Sequence, residues 1–438
     1  MGLFTRRKKT NEVRKAYGYI PTYYGSNPLV LYDYTKEDFV KKAYAKNAEV
    51  YRIIKKITDK ASVATPYIYV DKMGVKFKKT AKDSPDSIAK NRLQVHKALD
   101  YASTKLDLSQ LLKNPNDTHT WREMITLVRI FYFVQGEAFL LREAGENNCA
   151  MSIEIIPSHL MRSIVDEGEL VGWEQDLMNG KTRKFVGEDM DDILHLKMAN
   201  PVFDAQGGQY RGMSPLMAGL KYLQLDDKAL EAWVKSVERE GAKGIISPNH
   251  NNPEAWLTPE QVTLTDKSIK DKIEGVGNRG RVVVSGMPLS YQAIGLSPEA
   301  MNIIQGLEFA GNRLCDLWGV PAGLFDPNPT YQNQREATIR LLKEVVLPYL
   351  STEEDKLNAW LVKPFSDRDK KNYVLDYDLS AYEELTITAD QAESYLKTHT
   401  INEVRVMMGS DEIEEEYANQ VFIPQGTAPL NDFSVDIL

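Results

Sequence analysis

The stretch Ile303-Ile-Gln-Gly-Leu-Glu-Phe-Ala-Gly-Asn-Arg-Leu-Cys-Asp-Leu-Trp-Gly-Val-Pro321 decides how this chain folds. Its apolar residues recur at alternating steps of four and three, which predicts an amphipathic helix with one continuous apolar stripe. The stripe consists of Ile303, Leu307, Ala310, Leu314 and Leu317. The helix is predicted to end at Trp318, because Gly319 and Pro321 do not continue a helix.

The flanking sequence predicts a helix, a turn and a second helix. Ser297 can cap the first helix, and Pro298 suits its first position, where the missing N–H costs nothing. A loop over residues 319–333 is expected to follow, with an uncharged tip. The second helix is predicted from Gln334 to Leu350, and Pro348 indicates a kink or an early end in it.

Length and composition are those of an ordinary globular protein. A chain of 438 residues has room for two to four domains at about 100–200 residues each. Its apolar runs all fall short of the roughly 18–20 residues that would predict a transmembrane helix. The start of the chain lacks the apolar core of a signal peptide, and Cys149 and Cys315 are far apart, without a metal-type spacing. We expect a reducing, cytosolic compartment and no membrane contact.

The formal net charge of −8 is unevenly distributed along the chain. Residues 385–438 contain ten acidic and two basic residues, so the whole excess lies in this C-terminal segment. The remaining 52 basic and 52 acidic residues cancel. Tight non-specific DNA binding needs a basic surface, and the chain has no net basic surplus. If the protein handles DNA, we expect it to do so without gripping it.

Several motifs together carry a family resemblance. They are Leu111-Leu-Lys-Asn-Pro-Asn116, Ile153-Glu-Ile-Ile-Pro157, the stretch 303–321, Thr330-Tyr-Gln-Asn333 and Leu347-Pro-Tyr349. In this order the chain resembles the portal (head–tail connector) proteins of tailed bacteriophages, of the long-tailed-phage type. The resemblance covers most of residues 47–410. It implies an α+β fold, the phage portal fold with wing, stem helices, clip and C-terminal helical crown, assembled as a ring.

The resemblance also implies a division of the chain. The predicted parts are an N-terminal arm (1–46), a wing domain (47–213), stem helix one (214–245), a clip (246–295), stem helix two (296–318), a channel loop (319–333), a return helix and wing segment (334–383) and a crown with the C-terminal segment (384–438). Within the arm, the tyrosine-rich stretch Tyr17 to Tyr34 has two readings, a disordered tail or an arm that packs on a neighbouring subunit.

Stem helix one has clear sequence signals. Ser214 is predicted as its N-cap and Pro215 as its first residue, with Gly241 just beyond its end. The predicted apolar stripe consists of Leu216, Leu220, Leu223, Leu230, Trp233, Val234 and Val237.

The function implied by the resemblance is that of a dodecameric ring at one capsid vertex. Such a ring is the conduit for genome packaging and ejection, and a docking platform for the large terminase and the head–tail adaptor. The expected partners are further copies of the chain, the major capsid protein or scaffold, and double-stranded DNA passing without sequence specificity. The expected location is the virion, after assembly in the host cytoplasm. The residues predicted to face the DNA channel are Asn328, Thr330, Tyr331, Gln332, Asn333 and Arg335.

The alternative is a nucleic-acid-processing enzyme of the same packaging machinery, a nuclease or a packaging ATPase. The chain lacks the G-x-x-x-x-G-K-[ST] motif of a packaging ATPase. The G-x-G-x-x-G pattern at 275–280 has a helix predicted before it and a strand after it, which inverts the dinucleotide-binding order. The run 188–192 is predicted to be a surface turn rather than a metal site, and His195 a hydrogen-bonded core histidine. We predict no catalytic residue, cofactor or metal.

Overall fold

A computed structural model describes residues 35–71, 84–103, 106–203, 207–238, 244–248, 260, 263–264, 267, 289–293 and 303–421. No helix in these ranges combines the length and the apolar character needed to cross a bilayer. Most of the predicted arm and clip, Ser297, Pro298, Gly241 and the glycine pattern at 275–280 lie outside the described residues.

The central core is formed by helices that pack on a small sheet. Helix α1 (Lys36–Asp38) is followed by a π-helical segment, and α2 (Ala48–Ala61), α3 (Pro85–Ala98), α4 (Asp107–Leu111) and α5 (Trp121–Gln135) come next. The sheet has the strand order β11 (Tyr373–Asp378), β1 (Thr65–Asp71) and β2 (Leu99–Tyr101), all antiparallel. Phe39 and Ala43 are buried in this core, so this part of the predicted arm packs within its own subunit.

Two further three-stranded antiparallel sheets lie within the part predicted as the wing. One has the order β4 (Ala150–Ile156), β3 (Glu137–Ala144) and β8 (Ile193–Lys197), and the other β5 (Met161–Asp166), β6 (Glu169–Asp176) and β7 (Thr182–Val186). They share an apolar core in which Phe139 packs edge-on against Trp173, with ring centroids 5.0 Å apart. The run 188–192 lies in a short 3₁₀ helix before β8, which confirms the predicted surface turn.

A helical hairpin projects from this body. Helix α6 (Pro215–Glu238) and helix α7 (Ile303–Leu317) pack along each other. Between them, β9 (Gly244–Pro248) pairs antiparallel with β10 (Leu289–Ala293), so that a two-stranded ribbon closes the base of the predicted clip.

The helical stretch that begins at Tyr331 continues past Leu350 to Asp369. Helices α8 (Tyr331–Leu341), α9 (Leu347–Leu357) and α10 (Lys363–Asp369) follow one another through π-helical segments at Leu342–Val346 and Asn358–Val362. Pro348 therefore does not end the helix. It is the second residue of α9, just past the first π-helical segment, and an altered turn of this kind accommodates a residue without an N–H.

The last described helices form a separate apolar cluster. Helices α11 (Ala389–Leu396) and α12 (Ile401–Met408) bury Ala392, Val404 and Met407 together with Ala89 and Leu93 from α3. Helix α3, which the predicted domain division places in the wing, thus shares its core with the segment predicted as the crown.

Candidate functional site: the stem hairpin, its joint with the wing and the channel turn

The stem hairpin is attached to the wing at the first turn of α6. The Ser214 hydroxyl accepts a hydrogen bond from the Leu216 amide (3.2 Å) and donates one to the Val134 carbonyl (2.6 Å). The predicted N-cap is therefore confirmed. The same side chain also fixes the start of the stem to the last turn of α5.

Two glycines let the stem and the wing approach closely at this point. Gly136 ends α5 with a φ of 78°, a left-handed conformation that favours glycine. A Cβ atom on Gly212 would lie 2.0 Å from the Gly136 carbonyl oxygen. A Cβ atom on Gly136 would lie 2.2 Å from the Met213 carbonyl oxygen. Neither position has room for a side chain, so the backbones themselves form the joint.

A buried carboxylate lies at the centre of the joint. Glu137, the first residue of β3, is fully buried and accepts hydrogen bonds from Arg211 Nε (2.9 Å), the Gly212 amide (2.8 Å), His195 Nε2 (3.0 Å) and Lys36 Nζ. Burial disfavours the charged carboxylate, but the bond from His195 and the charges of Arg211 and Lys36 outweigh it and hold the pKa of Glu137 well below its usual range. His195 is a hydrogen-bonded core histidine as predicted, and burial lowers its pKa.

A second contact attaches the middle of the stem. Asn47 caps α2 by accepting a hydrogen bond from the Val50 amide (2.9 Å), and its Nδ2 donates to Asp226 Oδ2 (2.7 Å) and Asp227 Oδ1 (2.9 Å) on α6. Asp226 is buried, and this burial raises its pKa. One amide side chain therefore links a body helix to the stem, at a carboxylate whose pKa is raised by burial.

The hairpin buries only part of its predicted apolar stripe. Leu216, Leu223, Ala310 and Leu314 are fully buried, and a Cβ atom on Gly219 would lie 2.1 Å from Leu317 Cδ1, so the two helices are in close contact. Large apolar side chains elsewhere on the two helices remain exposed. They are Met217 (54%), Leu225 (40%), Leu230 (52%), Val234 (45%), Ile304 (42%) and Phe309 (47%). Leu230 and Val234 belong to the predicted stripe, so no part of the described chain covers that end of it.

The predicted channel loop, residues 319–333, connects α7 to α8. Trp318 Nε1 donates to the Phe133 carbonyl (2.8 Å), which fixes its first end, and Gly319 turns the chain with a φ of 67°. Thr330 caps α8, its hydroxyl accepting from the Asn333 amide (3.3 Å). The predicted helix start at Gln334 is therefore wrong by three residues, because this cap lets the helix begin at Tyr331.

The predicted channel residues fall on both sides of this helix start. Asn328 lies in the turn and Thr330 is the cap, whereas Tyr331, Gln332, Asn333 and Arg335 lie in the first turns of α8. Residues 331–336 are all exposed, and Tyr331 is exposed to 84%. Six consecutive exposed residues cover every side of a helix, so this part of α8 stands clear of the rest of the described chain.

Comparison with known proteins identifies the family. The model of the family described as "Phage portal protein" matches residues 85–409, most of the chain. The chain belongs to the phage portal family. An uncharacterized protein of Rickettsia bellii (strain RML369-C) is 23% identical to it over 317 residues, which cover 70% of this chain and 79% of the relative.

Solved structures agree with the portal fold. The chain is similar to a chain in the neck of an empty GTA particle computed with C6 symmetry, with a TM-score of 0.61, 21% identity and coverage of 88% of this chain and 96% of the other. It is also similar to a chain in the neck of a native GTA particle computed with C12 symmetry, with a TM-score of 0.57, 20% identity and coverage of 87% and 95%. The predicted α+β portal fold is confirmed.

The portal family is structural rather than enzymatic. Over the described part of the chain, no three His, Cys, Asp or Glu side chains lie in a group that could hold a metal ion.

Sequence reasoning did not find the joint around Glu137 in this portal protein. It noted Gly212 and His195 singly, but their common partner Glu137 lies far away in the sequence and is not marked by any motif.

Proposed function

We propose that twelve copies of this portal protein form a closed ring at one vertex of a phage-like capsid. The ring would be the conduit through which double-stranded DNA enters and leaves the particle. The observation that carries this proposal is the exposure of Leu230 and Val234, one helical turn apart at the outer end of a stem helix whose start is attached to the wing.

A second copy of the chain is the partner that best explains these exposed apolar side chains. Monomeric proteins rarely expose contiguous apolar surface, and large exposed patches mark interaction sites. The contacts of Ser214 and Asn47 attach the hairpin to the rest of the subunit at two points. A heterologous interface between identical subunits forms a ring when its rotation closes. The C6 and C12 symmetries of the similar neck structures support a subunit number of twelve.

The exposed start of α8 is the part of the subunit that we place against the DNA. Residues 328–333 carry no charge, and Arg335 is followed by Glu336, so this segment adds no net positive charge. Neutral amides can touch phosphates without the counterion release that makes a lysine-rich surface bind DNA tightly. A neutral lining suits a channel through which duplex DNA must slide.

A pair of substitutions tests this conduit. Replacing Gln332 and Asn333 with lysine should slow or stall DNA packaging, measured as nuclease-protected genome per particle, while rings still form. Lysine placed at the exposed wing residues Asn179 and Thr182 adds the same charge elsewhere and serves as the control. Normal packaging and ejection in the Gln332 and Asn333 variant would show that α8 does not face the channel.

The segment between the stem helices is the proposed docking platform. Residues 246–295 are placed as a clip at the far end of the hairpin, where they would contact the large terminase during packaging and the head–tail adaptor afterwards. The ribbon of β9 and β10 at its base supports this placement. Substitutions within the clip should abolish packaging or tail joining while rings still form. Intact packaging and tail joining in such variants would overturn the assignment.

The N-terminal residues and the wing are assigned contacts with other proteins of the particle. We propose that residues 1–34 form the arm that packs on a neighbouring subunit, and that the wing faces the major capsid protein or scaffold. Deleting the arm should weaken the ring without unfolding the subunit. The protein would be assembled in the host cytoplasm and reside at the portal vertex of the virion. No observation on the described residues favours the alternative, a nuclease or a packaging ATPase.

A further inference from the structure

Lys36 holds the start of the described chain at the joint between wing and stem. Its Nζ donates to Glu137, 101 residues away in the sequence, and lies 3.4 Å from the Gly212 carbonyl oxygen. Its own carbonyl accepts a hydrogen bond from Gln135 Nε2 (2.6 Å). Both the side chain and the backbone of Lys36 are therefore attached where α5 ends and the segment leading to α6 begins.

The joint does not need Lys36 to neutralise its buried carboxylate. Arg211 Nε lies 2.9 and 3.1 Å from the two Glu137 oxygens, and the Gly212 amide and His195 supply further donors. Since burial favours the neutral form of His195, the cluster contains two cations and one anion. Burial also disfavours the charged ammonium of Lys36 and lowers its pKa to about 8. Glu137 therefore keeps Arg211 as a paired cation when Lys36 is neutral or replaced.

The geometry points to Lys36 as a positioning residue for ring closure, an inference that rests on the proposed function. By bonding to Glu137 and reaching Gly212, Lys36 fixes the direction in which the stem helix leaves the wing. A heterologous ring closes only when each subunit is rotated correctly against the next, by about 30° for twelve copies. A looser joint would let the angle vary, and subunits would then build open arcs in place of closed rings.

The charged groups around Lys36 are Glu137 from β3 and Arg211 from the segment before α6, and His195 from β8 contacts Glu137. The end of α5 adds only the uncharged Gln135. The pKa of Glu137 is held low, and burial lowers that of His195. The charge that Lys36 loses as the pH rises past about 8 is therefore the change expected at this joint in mildly alkaline buffer.

Three variants of the full chain test the inference. Lys36→Met removes the charge and keeps the length of the side chain, Lys36→Arg keeps the charge at all pH values used, and Lys41→Met removes an exposed charge from the neighbouring segment. Closed rings and open arcs are counted in negative-stain images at pH 7.5 and 9.5, and the melting temperature is measured alongside. Lys36→Met should lose closed rings in favour of arcs, with its melting temperature changed by less than about 3 °C. The unmodified protein should form closed rings at pH 7.5 and lose them at pH 9.5. Lys36→Arg should keep its closed rings at both pH values.

The outcomes separate this inference from the proposed function. The inference about Lys36 is overturned if Lys36→Met forms as many closed rings as the unmodified protein. It is also overturned if Lys41→Met loses closed rings to the same extent as Lys36→Met. A lowered melting temperature together with the loss of rings would also overturn it, since a merely structural role predicts that result. An unmodified protein that forms no rings at pH 7.5 would instead contradict the proposed function.

Discussion

Substitutions at the exposed end of stem helix α6 should weaken the proposed ring interface without lowering the stability of the subunit. Leu230 and Val234 are exposed to 52% and 45% and lie one helical turn apart. Burying a whole leucine or valine side chain contributes about 1.5–3 kcal/mol, so covering the exposed half of each contributes about 1 kcal/mol. Serine at both positions should then weaken each contact between subunits by about 2 kcal/mol, or about 30-fold.

The subunit itself should be almost unaffected, because surface substitutions usually change stability by no more than about 0.5 kcal/mol. Assembly is measured by mass photometry over a range of protein concentrations, and subunit stability by thermal unfolding. Lys228→Ser, at an exposed polar position on the same helix, is the matched control. Ring formation at the same concentration as the unmodified protein would refute the assignment of this surface to the interface.

Three further predictions concern individual contacts. Glu137→Gln should destabilise the subunit by about 3–5 kcal/mol, because it leaves the buried cations without their counter-charge, and an unchanged denaturant midpoint would contradict the joint as described. Burial raises the folded-state pKa of Asp226 above its unfolded value, so the ionised carboxylate lowers the stability of the subunit as the pH rises through that interval. Asp226→Asn should therefore raise the melting temperature at pH 7 but not below about pH 4. Asp227→Asn, at the more exposed neighbouring carboxylate, should raise the melting temperature less. Thr330→Ala should speed amide exchange across residues 331–336 with little change in melting temperature, since it removes the cap of an exposed helical turn; unchanged exchange there would show that the cap does not hold the turn.

The local parts of the fold could be predicted from the sequence. Ser214 followed by Pro215 marks the start of α6, and an apolar strand around a single histidine predicts His195 as a core residue. Each of these signals acts within a few residues of the chain, where capping and periodicity decide the structure. The start of α8 carried such a signal as well. Thr330 is a good N-cap, and giving it more weight than the uncharged character of the loop would have placed Tyr331 in the helix.

The contacts that join the parts could not be predicted in this way. Glu137 is the first residue of a strand, and nothing nearby in the sequence shows that it pairs with Lys36 and Arg211. Periodicity also does not say what covers an apolar stripe. Leu230 continues the stripe of Leu216 and Leu223, but only the first part of that stripe finds its partner within the described chain.

This portal protein is proposed to close into a ring of twelve subunits. The most direct test is the mass and rotational symmetry of the purified full-length protein, from native mass spectrometry and cryo-electron microscopy class averages of end-on views. We expect a single closed species of twelve subunits with an open central channel and α8 at its wall. A strictly monomeric protein at micromolar concentration, or open helical assemblies without a closed ring, would contradict the account.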